Sequence, residues 1–134
     1  MLSLFQQPKG HKMADELAIT ILATITNGNF KDRIDHGAQK FDQTAVGAAS
    51  NVVSVGTSEE DVATGDLSTL GWCFMRNLDT TNYVTYGPKS SGSMVAMGRI
   101  EAGEVHAIRL EPGITLRWLA NTATCKVDLR IFED

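Results

Sequence analysis

Gly71-Trp72-Cys73-Phe74-Met75-Arg76-Asn77-Leu78-Asp79-Thr80-Thr81-Asn82-Tyr83-Val84-Thr85-Tyr86-Gly87 sets two short runs of aromatic and β-branched residues on either side of a polar segment, Asn77 to Asn82. Asparagine, aspartate and threonine in such a segment hydrogen-bond their own backbone and favour a turn over continued strand. The stretch therefore predicts a β-hairpin, punctuated at its ends by Gly71 and Gly87. It carries fold information and no catalytic apparatus.

The same grammar continues downstream. Ser90-Ser91-Gly92-Ser93 reads as a flexible loop and Met94 to Ile100 as a short strand, after which Glu101-Ala102-Gly103-Glu104 turns the chain. Val105 to Leu110 alternates, with His106, Ile108 and Leu110 opposite Val105, Ala107 and Arg109. Glu111-Pro112-Gly113 supplies proline at i+1 and glycine at i+2, as a type II turn demands. Ile114, Leu116, Trp118 and Ala120 then share a face, and Cys125, Val127, Leu129 and Ile131 share another opposite Lys126, Asp128 and Arg130. Many short strands with a turn signal about every ten residues predict a sandwich or barrel and exclude a βαβ fold. Trp118, Leu116, Val127, Leu129 and Ile131 are the expected core.

Upstream, Leu17, Ile19, Ile21, Ala23 and Ile25 fall on one side at period two. A helix would align Leu17, Ile21, Leu22 and Ile25, but three isoleucines and two threonines lose rotamer freedom there and pack well on a pleated surface. A strand is expected. Asn27-Gly28 suits a type I′ turn, and Phe30 to Ile34 returns as a partner, charged at Lys31, Asp32 and Arg33 like a protected edge. Residues 37–56 are rich in small side chains around Ala45 to Ala49, which permit close approach of another strand or of a partner; Val52, Val53 and Val55 mark a strand at their end. Residues 57–69, acidic at Glu59, Glu60 and Asp61, read as a solvated loop or as a short helix capped by Ser58 with Asp61 three residues on.

Met1 to Glu16 has no sustained period, and Pro8 and Gly10 interrupt regular structure. It reads as a disordered tail or as an arm ordering on a partner, with Leu2, Leu4 and Phe5 to bury. The domain reading is an irregular N-terminal arm over residues 1–16 and one antiparallel β-sandwich over 17–134.

The formal charge of −4 over 134 residues argues against a general nucleic-acid binder. No apolar run approaches the roughly 20 residues of a membrane helix, and Met1 to Phe5 is too short for a signal peptide. Cys73 and Cys125 match no metal-ligand spacing, and each sits in a strand-like run, so free buried thiols are expected. His11, His36 and His106 form no pair with helical or alternating metal-site spacing. His106 reads as a structural histidine beside Ile108 and Leu110. Glu59-Glu60-Asp61 lacks the glycine-centred calcium-loop pattern, and neither a Walker loop nor a G-x-S-x-G elbow is present. Trp72, Tyr83, Tyr86 and Trp118 read as core aromatics, with carbohydrate stacking as the rival. No catalytic, cofactor-binding or metal-ligating set is expected.

The arrangement Gly71-Trp72, Asn77-Leu78-Asp79, Asn82-Tyr83-Val84 and Gly87, followed by Ala102-Gly103-Glu104, Arg109-Leu110-Glu111-Pro112-Gly113 and Val127-Asp128-Leu129-Arg130-Ile131, resembles a pattern in small β-sandwich virion proteins of tailed bacteriophages. The match runs from Gly71 to Asp134. The resemblance implies a jelly-roll-like fold and a non-enzymatic capsid cement (decoration) protein, or a related head or tail component, that stabilises a shell. It implies the major capsid protein as partner, a place on the capsid surface after assembly in the host cytoplasm, and a homo-oligomer, a trimer in preference to a dimer. Neither nucleic acid nor membrane is expected as a partner. Leu4, Phe5, Lys9 and Lys12 of the arm are the expected partner-binding residues. The alternative is a tail-associated or carbohydrate-binding sandwich.

Overall fold

The computed structural model describes residues 15–43 and 47–134, and every regular element in them is a β-strand. The chain divides between Gln43 and Thr44 into two units.

The first unit is a ribbon of β1 (Leu17–Asn27) and β2 (Phe30–Phe41), paired antiparallel with Leu17 opposite Phe41 and Asn27 opposite Phe30. The loop between them is therefore Gly28-Asn29. Gly28 has φ +58° while Asn29 stays at ordinary φ, the pattern of a II′ turn with glycine at the first central position. The turn thus lies one residue later than a type I′ turn centred on Asn27-Gly28. A bulge interrupts the ladder at Ile21, where Gly37 takes φ +68°. β2 runs well past Ile34, so residues 37–41, the start of the small-residue region, belong to this ribbon.

The second unit holds β3 (Ala48–Val55), β4 (Glu60–Asp61), β5 (Leu70–Asn77), β6 (Val84–Ser90), β7 (Ser93–Met94), β8 (Gly98–Ile100), β9 (Val105–Arg109), β10 (Leu116–Ala120) and β11 (Cys125–Glu133). One sheet has the order β3-β11-β5-β9; the other runs β4-β10-β6, with β7 and β8 both pairing with β6. All ladders are antiparallel, and the pairing is nested. β3 pairs with β11, β4 with β10, β5 with β9 and β6 with β8. Each half of the unit thus winds back along the other.

The inner faces bury one core, joining Val55, Cys73, Met75, Val127, Leu129 and Ile131 of the first sheet to Val84, Tyr86, Ile100, Leu116, Trp118 and Ala120 of the second. The phases read from the sequence hold: Trp118 is 1% exposed, Leu116 and Leu129 2%, and Val127 and Ile131 0%. Burying a large apolar side chain contributes about 1.5–3 kcal/mol, and two opposed period-two strands can do so only in this register. Glu111-Pro112-Gly113 turns as expected, with Gly113 at φ +83° and Ile114 N–H donating to the Glu111 carbonyl at 3.2 Å.

The stretch from Gly71 to Gly87 is not a hairpin. β5 and β6 belong to different sheets, and the polar segment between them crosses from one layer to the other. Asn77 is the reason. Its side chain is fully buried; Nδ2 donates to the carbonyls of Asn82 at 2.8 Å and Ile100 at 3.1 Å, and Oδ1 accepts from Asp79 N–H at 3.0 Å. Asp79 Oδ1 in turn accepts from the N–H groups of Thr81 and Asn82 at 2.8 and 2.6 Å. These bonds satisfy a backbone that has left one ladder and not yet joined the next. Gly71 and Gly87 lie inside strands. A Cβ on Gly87 would overlap the carbonyl of Val95, where residues 95–97 cross the strand and Met97 N–H reaches the Tyr86 carbonyl at 2.9 Å.

Two loops are also more ordered than expected. Ser91 and Gly92 both have positive φ, 51° and 84°, and close a tight I′-type hairpin from β6 to β7. Glu60 and Asp61 form strand β4 against Trp118 and Arg117, neither a helix nor a loose acidic loop. Cys73 and Cys125 are free and buried. Cys73 lies beside Ile131 at one end of β11 and Cys125 begins the other, about 20 Å of strand apart and far beyond disulfide reach.

Two outcomes follow. Asn77→Ala leaves the carbonyls of Asn82 and Ile100 and the Asp79 N–H without their partner, and is expected to lower unfolding free energy in urea by about 2–4 kcal/mol. Burial pushes the Cys73 thiol up to about 12 and raises that of Cys125. Alkylation at pH 8 should therefore modify neither in the native protein and both in denaturant; rapid native labelling of Cys73 contradicts the packing.

Candidate interaction surface

The ribbon presents two chemically different faces. Cross-strand register places Ile21, Ala23 and Ile25 of β1 on the same side as Ile34, Asp32 and Phe30 of β2. The other side carries Thr20, Leu22, Thr24 and Thr26 with Asp35, Arg33 and Lys31. On the apolar side Ile21 is 54% exposed, Ile25 44%, Phe30 59% and Ile34 41%. These are β-branched and aromatic side chains placed by strand periodicity to pack on something, and they stand open. β1 carries no charged residue over its 11 positions, whereas β2 is charged at Lys31, Asp32, Arg33, Asp35 and Lys40. Its outer edge is protected and that of β1 is not. Arg33 and Asp35 pair at 3.0 Å on the polar side, and the guanidinium holds the Asp35 carboxyl below its ordinary value.

The sandwich places its polar side chains as ties. Arg117 Nε donates to Asp61 Oδ1 at 2.7 Å, while Nη1 donates to Glu59 Oε2 at 3.1 Å and to the Gly92 carbonyl at 3.0 Å. The acidic cluster is thereby committed to one guanidinium, with Glu60 Oε1 accepting from Gly56 N–H at 3.2 Å. Tyr86 of β6 and His106 of β9 meet at 2.9 Å between the hydroxyl and Nδ1, and His106 Nε2 lies 3.3 Å from Glu104. This carboxylate–imidazole–phenol chain links the two sheets. Tyr86 is buried, its ionisation raised by that burial, so the phenol is suited to tying layers together. At the end of β11 Glu133 Oε1 accepts from Ser68 N–H and Oγ at 2.9 and 2.7 Å, and Asp134 takes both bonds of the Arg109 guanidinium at 2.8 Å.

The aromatics expected to share one fate separate. Trp118 and Tyr86 are core residues, and Tyr83 lies under Arg99, whose guanidinium sits 3.9 Å from the ring centre. Trp72 and Phe74 alternate with the inward-facing Cys73 and Met75, so they lie on the outer side of their sheet. Phe74 stacks on Trp72 at 6.3 Å and meets Phe132 edge-on at 5.9 Å. An open cleft of about 530 Å³ runs beside Ala49, Asn51, Val53, Leu67 and Leu129. Among the described residues no three or more His, Cys, Asp and Glu side chains gather as a metal site, and no helix is long and apolar enough to cross a membrane.

Leu4, Phe5, Lys9 and Lys12 lie outside the described residues, as does Ala45. Ala48 and Ala49 pair with Phe132 and Ile131, so the small residues there admit a strand of the same chain. The sequence reading missed the exposed face because Ile21 and Ile25 fit a core strand equally well. The signal was the partner: Phe30 to Phe41 alternates too poorly to line a core opposite them.

No protein-family model and no curated protein matches the chain.

The carboxylates fix the pH response. Hydrogen bonds from Asn82 and Thr81 to Asp79, from Arg117 to Asp61, from Glu101 and His106 to Glu104, and from Ser68 to Glu133 hold these groups below their ordinary values of 3.8 for aspartate and 4.5 for glutamate. A group depressed in the folded state stabilises fully above its unfolded value, and the contribution disappears as pH falls through the folded one. The melting temperature is thus expected to be flat above about pH 5 and to fall steadily towards about pH 3; a melting temperature that rises on acidification contradicts these ties.

Proposed function

We propose that the chain is a non-enzymatic structural protein of a tailed-phage virion, a cement or decoration protein that binds the major capsid protein on the outside of the shell. The observation that carries this reading is the ribbon, whose four large apolar side chains, Ile21, Ile25, Phe30 and Ile34, stand exposed on one face. Exposed apolar patches of this kind mark contact surfaces for protein. The resemblance over Gly71 to Asp134 supplies the class of protein. The nested pairing of eight sandwich strands supports it, because a long antiparallel hairpin rolled into two sheets is the plan of a jelly roll.

A cement protein stabilises a shell by burying surface across neighbouring subunits. In this reading the sandwich is a carrier that keeps its shape, since Asn77, Arg117 and the Tyr86–His106 pair tie its layers and loops. The ribbon supplies contacts between protein chains, and the segment containing Leu4, Phe5, Lys9 and Lys12 supplies contacts to the shell. The outer aromatic group of Trp72, Phe74 and Phe132 favours a second reading, a tail-associated or carbohydrate-binding module, in which bases of contact are ring faces.

Co-sedimentation with capsids lacking the protein separates the two. Saturable binding to capsids is expected, with no retention on immobilised glycans. A chain beginning at Asp15 is expected to bind capsids at least tenfold more weakly while melting at an unchanged temperature. Glycan binding without capsid binding overturns the cement reading, and unchanged capsid binding by the shortened chain removes the arm from it.

A further inference from the structure

We infer that the apolar face of the β1–β2 ribbon is a self-association surface, covered in solution by the same face of a second copy of the chain. Ile19, in the same phase, is buried, whereas Ile21, Ile25, Phe30 and Ile34 are not, and a two-stranded ribbon with an uncovered face is marginally stable in water. Its exposed isoleucines and phenylalanine amount to about 400 Å² of side-chain surface per copy, taking roughly 200 Å² for a large side chain. A standard interface buries about 800 Å² per partner, a little over half of it apolar. The patch is therefore close to the apolar share of one complete interface.

The chemistry selects a second copy as the occupant. Two pleated faces pack when their side chains interdigitate, and an identical ribbon supplies the same spacing of branched side chains along the strand. The face carries one formal charge, Asp32, opposite Ile25, and the free edge of β2 gives its exposed carboxylate a route to water. It offers no set of charges for a complementary partner to read. Lys31, Arg33 and Asp35 lie on the other side and stay solvated when two apolar faces meet. β1 brings no charged side chain to the seam. Such a contact is isologous, each copy giving and receiving the same residues, and so makes a twofold pair where the resemblance implies a trimer.

This inference rests on reading the ribbon as a protein-binding surface, and the two fail separately. Light scattering of the full chain across 1–100 µM, about the range in which a standard interface is occupied, is expected to give the mass of a dimer. Ile21→Glu with Ile34→Glu should yield a monomer, with near-ultraviolet dichroism and the melting of the Trp118-containing sandwich unchanged. Leu22→Glu is the control. Leu22 is 56% exposed on the same strand but faces the polar side, and this variant should keep the dimer. Phe30→Lys, at the tip of the ribbon, should weaken the pair at least tenfold even if the double variant disturbs the ribbon. A monomeric wild-type chain, an oligomer that survives Ile21→Glu with Ile34→Glu, or equal loss in Leu22→Glu overturns the inference. Dimers that ignore capsids retain it and remove the cement reading; monomers that bind capsids do the reverse.

Discussion

The buried side chain of Asn77 is the constraint on which the sandwich turns. A strand that ends inside a β-sandwich leaves donors and acceptors where water cannot reach them, and each such group left unmet costs about 1–3 kcal/mol. Asn77 is the buried polar residue of the described core, and its amide answers three of these groups at once. It joins the end of β5 to the crossing segment at Asn82 and to β8 at Ile100. Its own backbone is engaged as well, with N–H donating to the Glu104 carbonyl and its carbonyl accepting from Gly103 N–H, both at 3.0 Å. One residue therefore positions the crossing, strand β8 of the second sheet and the turn that returns the chain to the first.

That geometry explains why the nested pairing closes. Once the segment 78–83 crosses between layers, β6 must pair in the opposite sheet, and the strands after it can only retrace the path of those before. Leu78 N–H bonded to the Lys126 carbonyl and Tyr83 N–H bonded to Asn121 Oδ1 fix both ends of the crossing to the second half of the chain. The apolar faces then follow. Trp118 and Tyr86 from one sheet share one core with Met75 and Ile131 from the other, and the Tyr86–His106 contact ties the layers with polar atoms. Arg117 instead ties parts of one sheet together, with Asp61, Glu59 and the Gly92 carbonyl holding its guanidinium beside β4.

Legibility from sequence followed the strength of the alternation. Leu116 to Ala120 and Cys125 to Ile131 were readable to the residue, because period two over a buried face admits one phase. The turns at Glu111-Pro112-Gly113 and Asn27-Gly28 were readable because glycine at positive φ leaves few options, though the second slid by one position. The stretch from Gly71 to Gly87 misled for a physical reason. A polar segment between two strands looks the same whether the chain returns within one sheet or crosses to another, since both need local side-chain hydrogen bonds. What distinguishes them is a partner distant in sequence, the Ile100 carbonyl, and no local pattern announces it. The face formed by Ile21, Ile25, Phe30 and Ile34 was hidden by the same limit. Periodicity tells which side chains share a face and is silent on what covers it.

The two units treat hydrophobic alternation in opposite ways. In the sandwich the inward residues of β11 from Cys125 to Ile131 are buried in one core, and the outward ones are Lys126, Asp128, Arg130 and Phe132. In the ribbon the alternation is as clean on β1, but β2 answers it with Asp32 between Phe30 and Ile34. A core strand with an aspartate in that phase would bury an uncompensated charge, at a cost of several kcal/mol. On a two-stranded ribbon every side chain lies close to a free edge, and Asp32 is exposed there. The placement of that single aspartate is thus an argument against folding the ribbon into a closed core and for leaving it as a surface to be covered from outside.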